Sequence, residues 1–303
     1  MWPRIPLLPG LVLASLLPAR QLLADELTQK MTARVSEEAD AFAKLATQVL
    51  GTEKLHQAAM KPKSRFHPRI GAAATQPPPA KWTERDVTSE YGFATFSGES
   101  GAIHELRQVT AVDGKKVEDT KKAQAALAKA ITASDDVRKK AMLKELEKYG
   151  LVGAATDFGQ LLLLFTRRDM ERYEFTSKGD KMIGYDRALV FGYKQLDGPE
   201  ALTLFEENKH DLMRHLRVEG EIRVRAEDFV PLQITLNAQQ GDAPNSLREE
   251  AAVTYAMSKY GALLPVSTEH RELRGGKVVA ENHFTYADFQ RFGASSDIKF
   301  EVK

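Results

Sequence analysis

The chain has no cysteine in its 303 residues. Disulfides, thiolate metal sites, cysteine nucleophiles and a lipidated N-terminal cysteine are therefore excluded. A protein working outside the cytoplasm without disulfides needs a core that stands unaided, and a chain of this length can bury one. An excess of one charge is also lacking, since 43 Lys+Arg face 42 Asp+Glu. Without a cationic surplus no nucleic-acid partner is expected. The nucleophile-elbow pattern Gly-x-Ser-x-Gly does not occur, although a triad assembled from distant residues is a matter of geometry and not of sequence.

The most informative segment is the N-terminus. A short cationic start, Met1-Trp2-Pro3-Arg4, precedes an apolar stretch from Ile5 to Leu17. Leu22-Leu23-Ala24 offers a small residue for cleavage ahead of Asp25-Glu26, with Leu17-Pro18-Ala19 as an alternative. Pro6, Pro9 and Pro18 interrupt a run already short for a membrane span. Residues 1–24 are thus expected to be a secretory signal peptide, leaving a periplasmic or secreted protein with no transmembrane anchor after cleavage.

Residues 25–61 are expected to form one amphipathic helix, because Leu27, Met31, Val35, Phe42, Leu45 and Val49 recur at helical spacing. Residues 62–81 are expected to be a proline-rich linker, with Pro62, Pro68 and Pro77-Pro78-Pro79 favouring an extended chain. Residues 82–303 then make an α+β domain with a helical segment at 120–168. Strands are expected at 91–96 and 103–112, the second ending in Val112-Asp113-Gly114-Lys115, a tight-turn signature. A helix follows over 120–133. Ser134 is placed to cap the next helix, Gly150 to end it, and Thr156 to cap a third helix holding Leu161-Leu162-Leu163-Leu164-Phe165. That run is apolar on all sides, so it should be deeply buried.

From Tyr173 the chain reads as β. Leu216, Val218, Gly220, Ile222, Val224 and Ala226 alternate with Arg217, Glu219, Glu221, Arg223 and Arg225. Strict period-two patterning gives one buried and one charged face. Further strands fit 232–236, 251–257, 263–273 and 278–286, with a turn at Gly275-Gly276. One-sided patterning with hairpin turns implies an antiparallel sheet covered on one face by helices.

Candidate motifs are few. Asp157-Phe158-Gly159 matches the magnesium tripeptide of kinases but lacks the partners that chemistry needs, and reads as a helix start. His104-Glu105 begins like a zinc-protease motif, but position 108 is Gln108. His210 and His215 are five apart and share no helical face, whereas His270 and His283 fall on adjacent expected strands and could face one another. Glu37-Glu38, Glu206-Glu207 and Glu249-Glu250 read as solvated surface, because adjacent carboxylates on one element diverge. No catalytic, metal-binding or cofactor-binding residue is therefore assigned, and no cofactor.

The stretch Arg217-Val218-Glu219-Gly220-Glu221-Ile222-Arg223-Val224, with Val230-Pro231-Leu232-Gln233-Ile234, Val253-Thr254-Tyr255, Leu263-Leu264-Pro265-Val266 and Phe284-Thr285-Tyr286-Ala287-Asp288-Phe289, resembles the periplasmic outer-membrane lipoprotein-carrier (LolA-like) superfamily. Ile103-His104-Glu105-Leu106-Arg107, Val112-Asp113-Gly114-Lys115 and Asp157-Phe158-Gly159-Gln160-Leu161 look like uncharacterised exported bacterial proteins. The resemblance implies a half-barrel sheet packed against helices, and a non-enzymatic protein that binds a lipid or lipoprotein acyl chain. A cell-envelope interaction module, docking on a protein partner through the helix at 25–61, is the alternative. A hydrolase with a dispersed site is the third reading.

Overall fold

The computed structural model describes residues 16–60, 81–97, 103–151, 158–198, 202–205, 213–241 and 246–292. Helix α1 (Leu16–Ala46) is followed directly by strand β1 (Val49–Met60). Then come β2 (Trp82–Thr95), β3 (Ile103–Val112) and the two-residue β4 (Lys115–Lys116). Helices α2 (Thr120–Thr132) and α3 (Val137–Leu143) follow, then 3-10 turns at Leu146–Tyr149, Leu161–Phe165 and Met170–Arg172. The rest is β: β5 (Tyr173–Ile183), β6 (Asp186–Gln195), β7 (Leu202–Phe205), β8 (Met213–Leu216), β9 (Glu219–Arg225), β10 (Pro231–Gln240), β11 (Leu247–Met257), β12 (Leu263–Arg274) and β13 (Lys277–Arg291).

Eleven strands form one curved, unclosed antiparallel sheet in the order β4-β3-β2-β1-β13-β12-β11-β10-β9-β6-β5, and β7 and β8 pair separately. The fold is α+β, as the patterning implied. α1 lies on one face of this sheet, called the inner face below. Met31, Val35, Ala39, Phe42, Leu45 and Ala46 are buried there against inward residues of the strands and the Leu161–Phe165 turn. α2 and α3 cover the opposite face only at the β2–β3 end, where Leu127, Ala130, Ile131 and Met142 meet Leu50, Ala94, Phe96 and Leu106.

The single helix expected over 25–61 is corrected by this arrangement. It stops at Ala46, and Val49–Met60 is a strand between β2 and β13. The residues from Glu53 to Met60 favour helices on their own, but ladder pairing on both sides overrides that preference. The inward set Glu53, Leu55, Gln57, Ala59 has polar members, which hid the period of two. α1 and β1 therefore belong to the same unit as the rest of the sheet, and α1 is folded onto its own domain rather than held out as an arm. Residues 61–80, which carry most of the expected linker, and residues 1–15 of the expected signal lie outside the described residues.

Other boundaries move for local reasons. β2 begins at Trp82 rather than Tyr91, because it pairs with β1 from Met60↔Trp82 onward; residues 82–86 are exposed or half-buried and show no apolar alternation in the sequence. Asp113 and Gly114 both take positive φ, 48° and 74°, as the turn signature required. Asp119 caps α2 by accepting from the Lys121 and Lys122 amides. The next helix begins after Asp136 rather than Ser134, and the Asp136 side chain makes no capping bond there. Gly150 closes its 3-10 turn in the left-handed conformation, at φ 72°. The expected third helix is reduced to the 3-10 turn Leu161–Phe165. The amide of Leu162 donates to the Tyr255 hydroxyl, so it is not available for a helical bond. Thr156 lies outside the described residues.

Candidate functional site

Alternation along β3 sends Glu105, Arg107 and Val109 to the inner face and Leu106 to the face under α2. On β1, the same alternation sends Glu53 inward, paired across from Ser89 and Tyr286. The Arg107 guanidinium, 2% exposed, grips Glu53 with Nε at 2.8 Å and Nη2 at 2.8 Å, and Nη2 also reaches Glu105 at 2.6 Å. Tyr91 donates its hydroxyl hydrogen to Glu105 at 2.7 Å. The guanidinium carbon sits 5.3 Å from the Tyr91 ring centre and 5.7 Å from that of Phe284. Burial works against its charge, but Glu53 and Glu105 outweigh burial and hold Arg107 well above its ordinary value. Among the described residues, Arg107 Nη1 is buried without a hydrogen-bond partner.

A second polar row crosses β1, β13, β12 and β11. Gln57 donates its amide to Asn282 Oδ1 at 2.7 Å, and Asn282 donates to His270 Nδ1 at 2.9 Å. His270 Nε2 lies 2.6 Å from Glu249 Oε2. With Nδ1 accepting, the neutral imidazole carries its proton on Nε2, facing the carboxyl. Burial pushes Glu249 up to about 9, with nearby Glu272 adding to it, and burial pushes His270 down to about 4. Glu249 was expected on the solvated surface. It is buried instead, because the odd-numbered residues of β11 from 249 to 255 point inward.

Both clusters lie beneath one cover. Phe158 stacks on the His270 ring at 4.6 Å between centroids. The Tyr255 hydroxyl accepts from the Leu162 amide at 3.0 Å and donates to the Gly159 carbonyl at 3.1 Å. Leu161, Leu162 and Phe165 are buried in the same core. A Cβ on Gly159 would lie 2.5 Å from Glu105 Oε1 and 2.7 Å from the Tyr91 hydroxyl, so only glycine lets the cover come this close. The inner face is filled by these side chains and by α1. At its rim, an open groove of about 320 Å³ is lined by Met257, Tyr260, Leu264, Pro265, Tyr286 and Phe289, among others.

His270 and His283 do not face each other. His270 pairs with Asn282, while His283 pairs with Glu269 on the exposed face. Neither nitrogen of His270 is free to take a nucleophile's proton, one being held by Asn282 and the other by Glu249. Asp157 and His210 lie outside the described residues. Among the described residues, no three His, Asp or Glu side chains converge as metal ligands. Sequence reasoning missed Glu53, Arg107, Glu249, His270 and Tyr255 as a site. The available signal was charge at inward positions of alternating strands, as in Glu105-Leu106-Arg107.

Three solved structures align with this chain over most of its length, at TM-scores of 0.31 to 0.37. A putative outer-membrane lipoprotein-sorting protein domain from Vibrio parahaemolyticus is 8% identical, with TM-score 0.36, over 89% of this chain and 92% of that one. A DUF1329 family protein from Desulfovibrio piger is 8% identical, with TM-score 0.37, over 88% of this chain and 95% of that one. A LolA superfamily protein from Nitrosomonas europaea is 9% identical, with TM-score 0.31, over 86% and 92%. Identity this low transfers no residue role. No family model matches the sequence, and no curated protein matches it.

Proposed function

We propose that this chain is an exported, non-enzymatic protein that takes up an apolar ligand, a lipid or lipoprotein acyl chain, between the inner face of the sheet and its cover. Residues 1–24 serve as the signal peptide, and the protein works in the periplasm or beyond it. The observation that carries the reading is the construction of the cover. It is two short 3-10 turns rather than a long helix, it is inserted by Leu161, Leu162 and Phe165, and Tyr255 bridges it to β11. An acyl chain offers the same apolar contact as those side chains and can replace them when the cover lifts. The rim groove at Leu264, Pro265, Tyr286 and Phe289 gives that chain an apolar place to start. Among the described residues no helix is long and apolar enough to cross a membrane.

The test is the intact mass of the protein purified from an envelope fraction under native conditions, then again after solvent extraction. A discrete extra mass that extracts as lipid is expected. A clean apo mass, together with no uptake of the apolar fluorophore 1-N-phenylnaphthylamine, would overturn the reading.

A further inference from the structure

The guanidinium of Arg107 is 2% exposed and makes strong bonds through Nε and Nη2, yet its Nη1 is buried with no hydrogen-bond partner among the described residues. A buried charged N–H without an acceptor is costly and calls for a reason. Two carboxylates, Glu53 and Glu105, already share this one guanidinium. A further anion brought here would meet them without water to screen it. A neutral acceptor oxygen would not.

Resting on the apolar-ligand reading above, we infer that Arg107 Nη1 binds the ester or amide carbonyl of an acylated ligand and that Glu53 and Glu105 reject free fatty acids and phosphate-headed lipids. The setting suits such a carbonyl. The guanidinium lies between the rings of Tyr91 and Phe284, and Tyr91 in turn packs on Tyr286 and Phe289 of the rim groove. The hydrocarbon would lie along that aromatic row, and its carbonyl would end at Arg107 Nη1, with the buried and unbonded Ser89 hydroxyl on the same face across from Glu53. A Cβ on Gly159 would touch Glu105 Oε1 and the Tyr91 hydroxyl, so the cover closes directly over the carboxylate that holds Arg107.

The experiment displaces 1-N-phenylnaphthylamine, which has no carbonyl, from the full-length exported protein at pH 8, with monopalmitoylglycerol, palmitate and palmitoyl lysophosphatidate as competitors. The acyl chain is the same in all three, and both acids are ionised at that pH. Monopalmitoylglycerol should compete about tenfold or more better than either anion. E105Q removes one negative charge while keeping the side chain's shape, and should narrow that gap. The infrared carbonyl band of bound, carbonyl-labelled monopalmitoylglycerol should lie below its position in hydrocarbon, as a hydrogen-bonded carbonyl does. Equal or stronger competition by palmitate or lysophosphatidate in the wild type overturns the inference, as does an unshifted carbonyl band. Failure of the probe to bind at all instead overturns the apolar-ligand reading beneath it.

Discussion

His270 Nε2 and Glu249 Oε2 lie 2.6 Å apart inside the sheet's covered face, and burial drives both groups toward their neutral forms. Glu249 holds its proton up to about 9 when folded, against an ordinary value of 4.5. The folded chain therefore keeps a proton that the unfolded chain releases, and stability falls as pH rises through that window. His270 acts in the opposite sense, costing stability as pH falls from 6.5 toward about 4. Between pH 7 and 9 only the Glu249 effect operates within this pair. Unfolding free energies from urea titration should fall over that range by up to about 1.4 kcal/mol per pH unit. E249Q, which mimics the protonated acid, should show a flatter profile. An unchanged slope in E249Q would show that the carboxyl is ionised in the folded protein.

Tyr255 joins the cover to β11 through a single hydroxyl. Y255F leaves the Leu162 N–H and the Gly159 carbonyl without that partner, at a cost of about 1–3 kcal/mol. The Leu162 amide should accelerate more than amides in the β1–β13 ladder, which exchange faster only as far as global stability falls. Uniform acceleration everywhere would mean that the cover does not open separately from the sheet.

Gly220 stands in the alternating run of β9 where Leu or Val would otherwise be natural. A Cβ there would lie 2.1 Å from the Thr235 carbonyl oxygen. That contact is with backbone, so no side-chain rotation relieves it. G220A should destabilise the protein by about 1–3 kcal/mol or more, read as a lower urea midpoint.

How much of this was legible follows from where each strand faces. The β9–β13 region could be read because its inward residues, such as Ile222, Val224, Ile234, Leu236 and Val253, are apolar and its outward ones polar. The turns at Asp113-Gly114 and Gly275-Gly276 could be read because positive φ restricts the residues that fit. β1 could not. Its inward Glu53 and Gln57 have partners on β3 and β13, 54 and 225 residues away in sequence, and no local window sees a partner at that distance. Glu249 and His270 were hidden in the same way: a glutamate pair and a lone histidine look like surface until the register sets them on one face. The candidate site thus consists of the residues that break the hydrophobic pattern, and patterning alone discards them.

Glu53, Glu105 and Arg107 give the last prediction, which separates stability from binding. Removing one partner of a buried ion pair strands the other, so R107M should cost about 3–5 kcal/mol. Replacing all three together with apolar residues of similar size, as E53L/E105L/R107M, leaves no stranded charge and should recover most of that loss, the Tyr91 hydroxyl alone losing its acceptor. A core kept only for stability would then lose nothing else. If the cluster instead serves ligand selection, the triple variant should fold, still bind 1-N-phenylnaphthylamine, and no longer distinguish monopalmitoylglycerol from palmitate. Urea titration and probe displacement on the same preparation decide between the two, and retained discrimination in a stable triple variant would assign it to residues other than Arg107.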